Sequence, residues 1–86
     1  MYTIHYALTC KKKDFENTPP AIRAVIKKAI ETRLTSDPLK VGKPLRYDLK
    51  GYRRLRVGDY RVIYRVDQEK VIVVIVDIDH RKDVYE

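Results

Sequence analysis

The sequence predicts an α+β domain: two N-terminal helices packed on one face of a small, mostly antiparallel four-stranded sheet, in the order β-α-α-β-β-β. Three observations carry the prediction. The first residues alternate polar and apolar, a Pro-begun segment repeats apolar residues at 3/4 spacing, and the second half holds three strand-like runs separated by turn residues. The chain has 86 residues, which fits one domain spanning 1–86. At that size folding buries roughly 60–65% of the unfolded surface, so one sheet and one helical layer fill the core.

In the opening run, Tyr2, Ile4, Tyr6 and Leu8 fall on one face of a half-buried strand. The polar stretch CKKKDFEN is expected to form a short helix that carries Lys11, Lys12 and Lys13 outward and Phe15 inward. Thr18-Pro19-Pro20 is a helix start, with Thr18 as cap and the prolines in the first turn, where a missing N–H is harmless. Ile22, Val25, Ile26, Ala29, Ile30 and Leu34 then form the buried stripe, while Arg23, Lys27, Lys28 and Glu31 point outward. The Ser36-Asp37-Pro38 cluster stops this helix, and VGKPLRYDLKG is a loop or poorly paired stretch.

The remaining runs are strands. YRRLRV and YRVIYRV are separated only by Gly58-Asp59, a two-residue hairpin signal. Val57 then pairs with Tyr60 and Arg56 lies opposite Arg61, so Arg54, Arg56, Arg61, Ile63 and Arg65 share one face. Leu55, Val57, Val62 and Tyr64 share the other, which packs on the helices. After the turn Asp67–Lys70, VIVVIVDI is apolar on both faces, as a central strand or one with a second covering surface is.

Lys+Arg number 19 against 12 Asp+Glu, for a net charge of +7. That balance favours a polyanionic partner, nucleic acid or an acidic protein. The single Cys10 excludes an internal disulfide framework and any Cys-rich zinc site, and fits a reducing cytoplasm. No start resembling a signal peptide precedes Tyr2, and no apolar run approaches the roughly 18 residues of a membrane span.

The arginine face narrows the chemistry. Like charges directly opposed in a sheet cost on the order of a few tenths of a kcal/mol, so Arg56 facing Arg61 beside Arg54 points to a compensating anion, the alternative being long solvated side chains that snorkel off an exposed face. That anion is either a phosphate, whose oxygens match the guanidinium fork, or a carboxylate such as Asp77 or Asp79. Paired catalytic carboxylates, a Ser/His/Asp set and a Gly-rich phosphate loop are not evident; the glycines are Gly42, Gly51 and Gly58, and His5 and His80 lack metal-ligand spacing. What remains suits a phosphoryl reaction whose nucleophile already sits on the substrate, as the 2′-hydroxyl of RNA does. The tail DHRKDVYE adds His80 and Arg81 as proton donors to a leaving oxygen and Tyr85 as a candidate base. A free phenol titrates near pH ~10, so Tyr85 needs the neighbouring arginines to favour its phenolate.

The stretch KPLRYDLKGYRRLRVGDYRVIYRV, followed by IVDIDHRKDVYE, resembles the RelE/ParE superfamily of bacterial and archaeal toxins, and most of all its RelE-type ribosome-dependent mRNA interferases. The opening strand and the Pro-begun helix ending in a DP loop extend the likeness over nearly the whole chain. The resemblance implies a toxin that binds in the ribosomal decoding site and cuts mRNA there without metal or other cofactor. The 2′-hydroxyl attacks the adjacent phosphate, leaving a 2′,3′-cyclic phosphate and a free 5′-hydroxyl. By the same resemblance the family's basic pair falls on Arg54 and Arg56, its third-strand arginine on Arg61, its post-strand arginine on Arg81 and its base on Tyr85. His80 joins them as an acid, and Lys11, Lys12, Lys13, Arg53 and Arg65 are further candidates for RNA contact.

Such toxins are encoded with a small antitoxin. The expected partners are therefore a RelB-like antitoxin with an acidic or amphipathic segment and the ribosome with its mRNA, in the cytoplasm and away from membranes. Three departures stand out: arginines where the best-known members use lysines at positions 54 and 56, Asp79 where a glycine is common, and an end at Glu86 without the C-terminal helix of some members. Two other readings stay open, a ParE-like poison of DNA gyrase and a catalytically decayed antitoxin-binding module.

Overall fold

The computed structural model describes residues 1–11, 18–46 and 51–80, with backbone alone at 8–11 and 80. Strands β1 (Thr3–Lys11), β2 (Lys43–Pro44), β3 (Arg53–Val57), β4 (Tyr60–Asp67) and β5 (Ile72–His80) form one sheet in the order β1-β5-β4-β3-β2. Only β1 and β5 run parallel; the other neighbours are antiparallel. The sheet is thus a mixed one of five strands, where the sequence suggested four. The extra strand is the edge pair Lys43–Pro44 beside Arg54 and Arg53, a place where Pro is tolerated because an edge position needs no N–H on its outer side.

Helix α1 (Pro20–Ala29) continues into a widened π turn (Ile30–Leu34), and a second, one-turn helix α2 (Pro38–Val41) follows. The turn opens where hydroxyls compete for carbonyls: Thr32 Oγ1 donates to the Lys28 carbonyl, Ser36 Oγ to Thr32 and Thr35 Oγ1 to Glu31. Ile26, Ile30 and Leu34 line the buried side and meet Leu55, Val62, Tyr64, Val73, Ile75 and Ile78 from the sheet.

Several expectations are corrected here. Ile22 and Val25, assigned to the buried stripe, are 42% and 59% exposed, because the buried line follows 26, 30 and 34 on one side of the helix. Thr18 does not cap α1, whose N-cap is Pro19; its hydroxyl instead donates to Tyr60 Oη at 2.9 Å. Cys10 and Lys11 end β1 and do not open a helix, and Tyr6 is 42% exposed beside a break in the β1–β5 register. The remainder of the expected first helix, with Phe15, lies outside the described residues. Part of the expected loop after Pro38 is instead α2 and β2.

Tyr64 ties the helical layer to the sheet. Its hydroxyl donates to the Pro38 carbonyl at 2.6 Å, while Arg53 Nη2 donates to the carbonyls of Leu39 and Gly42, each at 2.7 Å. A Cβ on Gly42 would collide with the Tyr64 hydroxyl and the Arg54 carbonyl, so this corner requires glycine for space. Burial pushes the Tyr64 phenol above its ordinary pKa, and the Arg53 guanidinium opposes that shift in part. The folded state therefore holds this proton more tightly than the unfolded chain. Its contribution to stability is intact below about pH 10 and declines as pH climbs through the folded value. Tyr64→Phe should cost about 1 kcal/mol at neutral pH through the lost hydrogen bond. The gap between wild type and variant in urea melts should narrow near pH ~11; an unchanged gap there would refute the assignment.

Candidate functional site

Gly58 and Asp59 form the predicted two-residue turn, with a positive φ of 59° at Gly58, as a type II′ hairpin requires of its first central residue. The register follows the pattern derived from sequence: Val57 opposes Tyr60, Arg56 opposes Arg61, Leu55 opposes Val62 and Arg54 opposes Ile63. Alternation then turns Leu55, Val62 and Tyr64 to the helices and puts Arg54, Arg56, Arg61 and Arg65 at positions of the other face. An extra residue in β5, between the pairs Ile63–Asp77 and Tyr64–Ile75, bends that strand without disturbing the alternation of β4.

Extending the rows into β5 shows what faces the arginines. Arg56, Arg61 and Asp79 stand in one cross-sheet row; Arg54, Ile63 and Asp77 stand in another. Arg61 is only 2% exposed, and its Nε lies 3.5 Å from Asp79 Oδ1. Of the two carboxylates weighed from sequence as arginine partners, Asp79 thus holds Arg61. The like-charge opposition of Arg56 and Arg61 is relieved within the sheet by this carboxylate.

The other assigned residues divide three ways. Arg65 opposes Val74 and is exposed, further along the arginine face. Arg53 belongs to the helix-facing parity, and its guanidinium is committed to the two carbonyls at the end of α2. His80 ends β5 opposite Tyr60, and Lys11 ends β1 opposite Asp77; both are described by backbone alone. Lys12, Lys13, Arg81 and Tyr85 lie outside the described residues. Sequence reasoning passed over Arg33 and Lys43, which line a recess shared with Arg54 and Arg56. The signal available for Lys43 was the strand that Lys43–Pro44 forms against β3.

Among the described residues, no group of three or more His, Cys, Asp or Glu side chains is placed to hold a metal. No helix among them is long and apolar enough to cross a membrane. What the described face offers is charge stabilisation: planar, permanently protonated donors spaced by the sheet and partly neutralised by Asp79.

Comparison with known proteins bears on what that face serves. Residues 11–85 match the family described as the ParE toxin of the type II toxin–antitoxin system, parDE. The chain is 42% identical over 84 residues to Toxin RelG of Mycobacterium tuberculosis (strain ATCC 25618 / H37Rv), covering 98% of this chain and 95% of RelG. Toxin RelE of the same strain is 37% identical over 82 residues, covering 94% and 84% of the two chains. Among solved structures, a chain of the toxin–antitoxin complex RelBE2 from Mycobacterium tuberculosis superposes with a TM-score of 0.84 at 41% identity, covering 95% of this chain and 93% of that one.

Proposed function

Because this chain belongs to the ParE toxin family of type II toxin–antitoxin systems, we propose that it acts as its RelE-named relatives suggest, as an endoribonuclease that cuts mRNA on the ribosome and stops translation. The observation that carries this reading is the set Arg54, Arg56 and Arg61 on one face of the β3–β4 hairpin, its register fixed by a two-residue turn and Arg61 paired with Asp79 on the next strand. A rigid array of guanidinium groups suits the charge that gathers on a phosphate during in-line displacement.

The reaction needs no cofactor. Tyr85, as phenolate, takes the proton of the RNA 2′-hydroxyl; the 2′-oxygen bonds to phosphorus; and the bond to the 5′-oxygen breaks. The 5′-oxygen takes a proton from His80 or Arg81, of which His80 is the better acid at neutral pH. The products are a 2′,3′-cyclic phosphate and a 5′-hydroxyl. Arg54, Arg56 and Arg61 stabilise the phosphate, and Lys11, Lys12, Lys13 and Arg65 are the proposed outer contacts to RNA; Arg53, also assigned from sequence, is held by the Leu39 and Gly42 carbonyls and drops out of that set. The partner in the cytoplasm is a RelB-like antitoxin, by analogy with the RelBE2 complex.

Brief induction of wild type and Tyr85→Phe in a bacterium, with 5′-ends mapped on translated messages, tests the reading. Cuts in frame with codons are expected for wild type and should vanish for the variant. The match to a family described by ParE keeps one other reading open, a toxin that acts on DNA gyrase. Growth arrest with intact messages and DNA damage signalling would replace the nuclease reading with that one.

A further inference from the structure

Beside the arginine face, at the outer edge of β3, lies a recess of about 190 Å³ lined by Arg33, Val41, Lys43, Arg54, Leu55 and Arg56. Four of the six lining residues are cationic and none is acidic. They come from three separate segments: the π turn supplies Arg33, β2 supplies Lys43, and β3 supplies Arg54 and Arg56. Arg33 and Lys43 add two exposed cations beside Arg54 and Arg56, and an anion held between the groups would lower their mutual repulsion. The floor is apolar, since Leu55 is 3% exposed and belongs to the core, and a low-polarity wall strengthens the field that an anion meets.

The placement of the recess is built in by the fold. β2 pairs with β3 only at Arg53 and Arg54, so the edge strand ends level with Arg54, and Arg56 lies beyond it. The α1 helix widens at Ile30–Leu34, the segment that carries Arg33; π turns of this kind recur at functional sites. Arg54 and Arg56 thus belong both to this recess and to the face proposed to hold the scissile phosphate.

We propose that the recess is a second phosphate subsite, in which Arg33 and Lys43 grip a neighbouring backbone phosphate of the same RNA strand. This rests on the nuclease reading above. An RNA strand is favoured over an acidic peptide because the recess continues the arginine face, so a repeating polyanion occupies both at once. Its function is positioning: Arg33 and Lys43 set the register of the strand and leave the bond-breaking to the adjacent face.

The test uses the full chain and a short, fully 2′-O-methylated oligoribonucleotide, which has no free 2′-hydroxyl to attack. Binding is measured across a salt series for wild type, for Arg33→Gln with Lys43→Gln, and for Lys27→Gln with Lys28→Gln. The last removes the same charge from exposed positions of α1. The recess variant should lower the slope of log affinity against log salt by about 0.7, the value for one single-strand phosphate contact, and the α1 variant should leave it unchanged. An equal slope for all three proteins would overturn the subsite while leaving the nuclease reading standing. Unchanged RNA binding with weakened binding of an acidic peptide would transfer the recess to a protein partner and overturn the proposal. Failure of wild type to bind the oligonucleotide, together with uncut messages in the induction experiment, would remove both readings.

Discussion

Arg61→Gln is expected to reduce cutting of translated messages by about 10²–10³-fold, the usual loss when one preorganised donor to a transition-state charge is removed. The expectation follows from position: Arg61 stands directly opposite Arg56, on the central strand of the proposed site, and the β3–β4 register fixes the two side chains relative to each other. Burial complicates a single substitution, since Arg61 is nearly inaccessible and paired with Asp79, so a loss of folding would imitate a loss of catalysis. The companion variant Arg61→Met with Asp79→Leu separates the two. Replacing a buried ion pair by apolar side chains of similar volume is often neutral or stabilising, by as much as about 1–4 kcal/mol. The double variant should therefore melt at or above the wild-type temperature and cut no better than Arg61→Gln. Recovery of cutting along with stability would reduce Arg61 to a structural residue and leave Arg54 and Arg56 as the phosphate ligands.

The parts of this fold that were legible in the sequence were those governed by local chemistry. Gly58-Asp59 fixed the hairpin, the hairpin fixed the register, and the register placed Arg56 opposite Arg61. What escaped depended on tertiary competition. Thr18 looks like a helix cap, but Tyr60, 42 residues away in the chain, takes its hydroxyl. Ile22 and Val25 fit a 3/4 stripe, yet the sheet covers only the line through Ile26, Ile30 and Leu34. The π turn coincides with three hydroxyl side chains bonding back to carbonyls, a pattern that helix periodicity does not report. The recess escaped for a related reason: Arg33 and Lys43 are ten residues apart, and only the short β2 strand and the widened helix bring them to one place. Arg53 shows the limit of reading charge alone, because strand parity turns it from its arginine neighbours toward the carbonyls that end α2.

Asp79→Ala carries the largest expected effect on stability. The carboxylate is 15% exposed on its side chain and pairs with Arg61. Its removal leaves a guanidinium that cannot shed its proton, so the loss appears as unfolding and not as a change of protonation. Breaking a buried pair from one side costs about 3–5 kcal/mol, and the partial exposure of Asp79 places this case toward the lower end. In a domain of this size each kcal/mol moves the melting temperature by about 4–8 °C, so a drop of more than about 10 °C is expected in a thermal melt. Asp79→Asn keeps the shape and an acceptor oxygen, and should lose roughly half as much. The two variants also bear on function with the opposite sign. If Arg61 binds phosphate as proposed, Asp79 and a substrate phosphate compete for the same guanidinium, so neutralising the carboxylate should weaken the free protein while strengthening its hold on RNA. Asp79→Asn should thus melt earlier than wild type yet bind the 2′-O-methylated oligonucleotide more tightly at equal salt. If it melts earlier and binds no better, Asp79 only supports the sheet and does not compete with phosphate for Arg61. If both variants melt within a degree or so of wild type, the ion pair contributes nothing measurable, and the burial of Arg61 has to be sustained by its other neighbours.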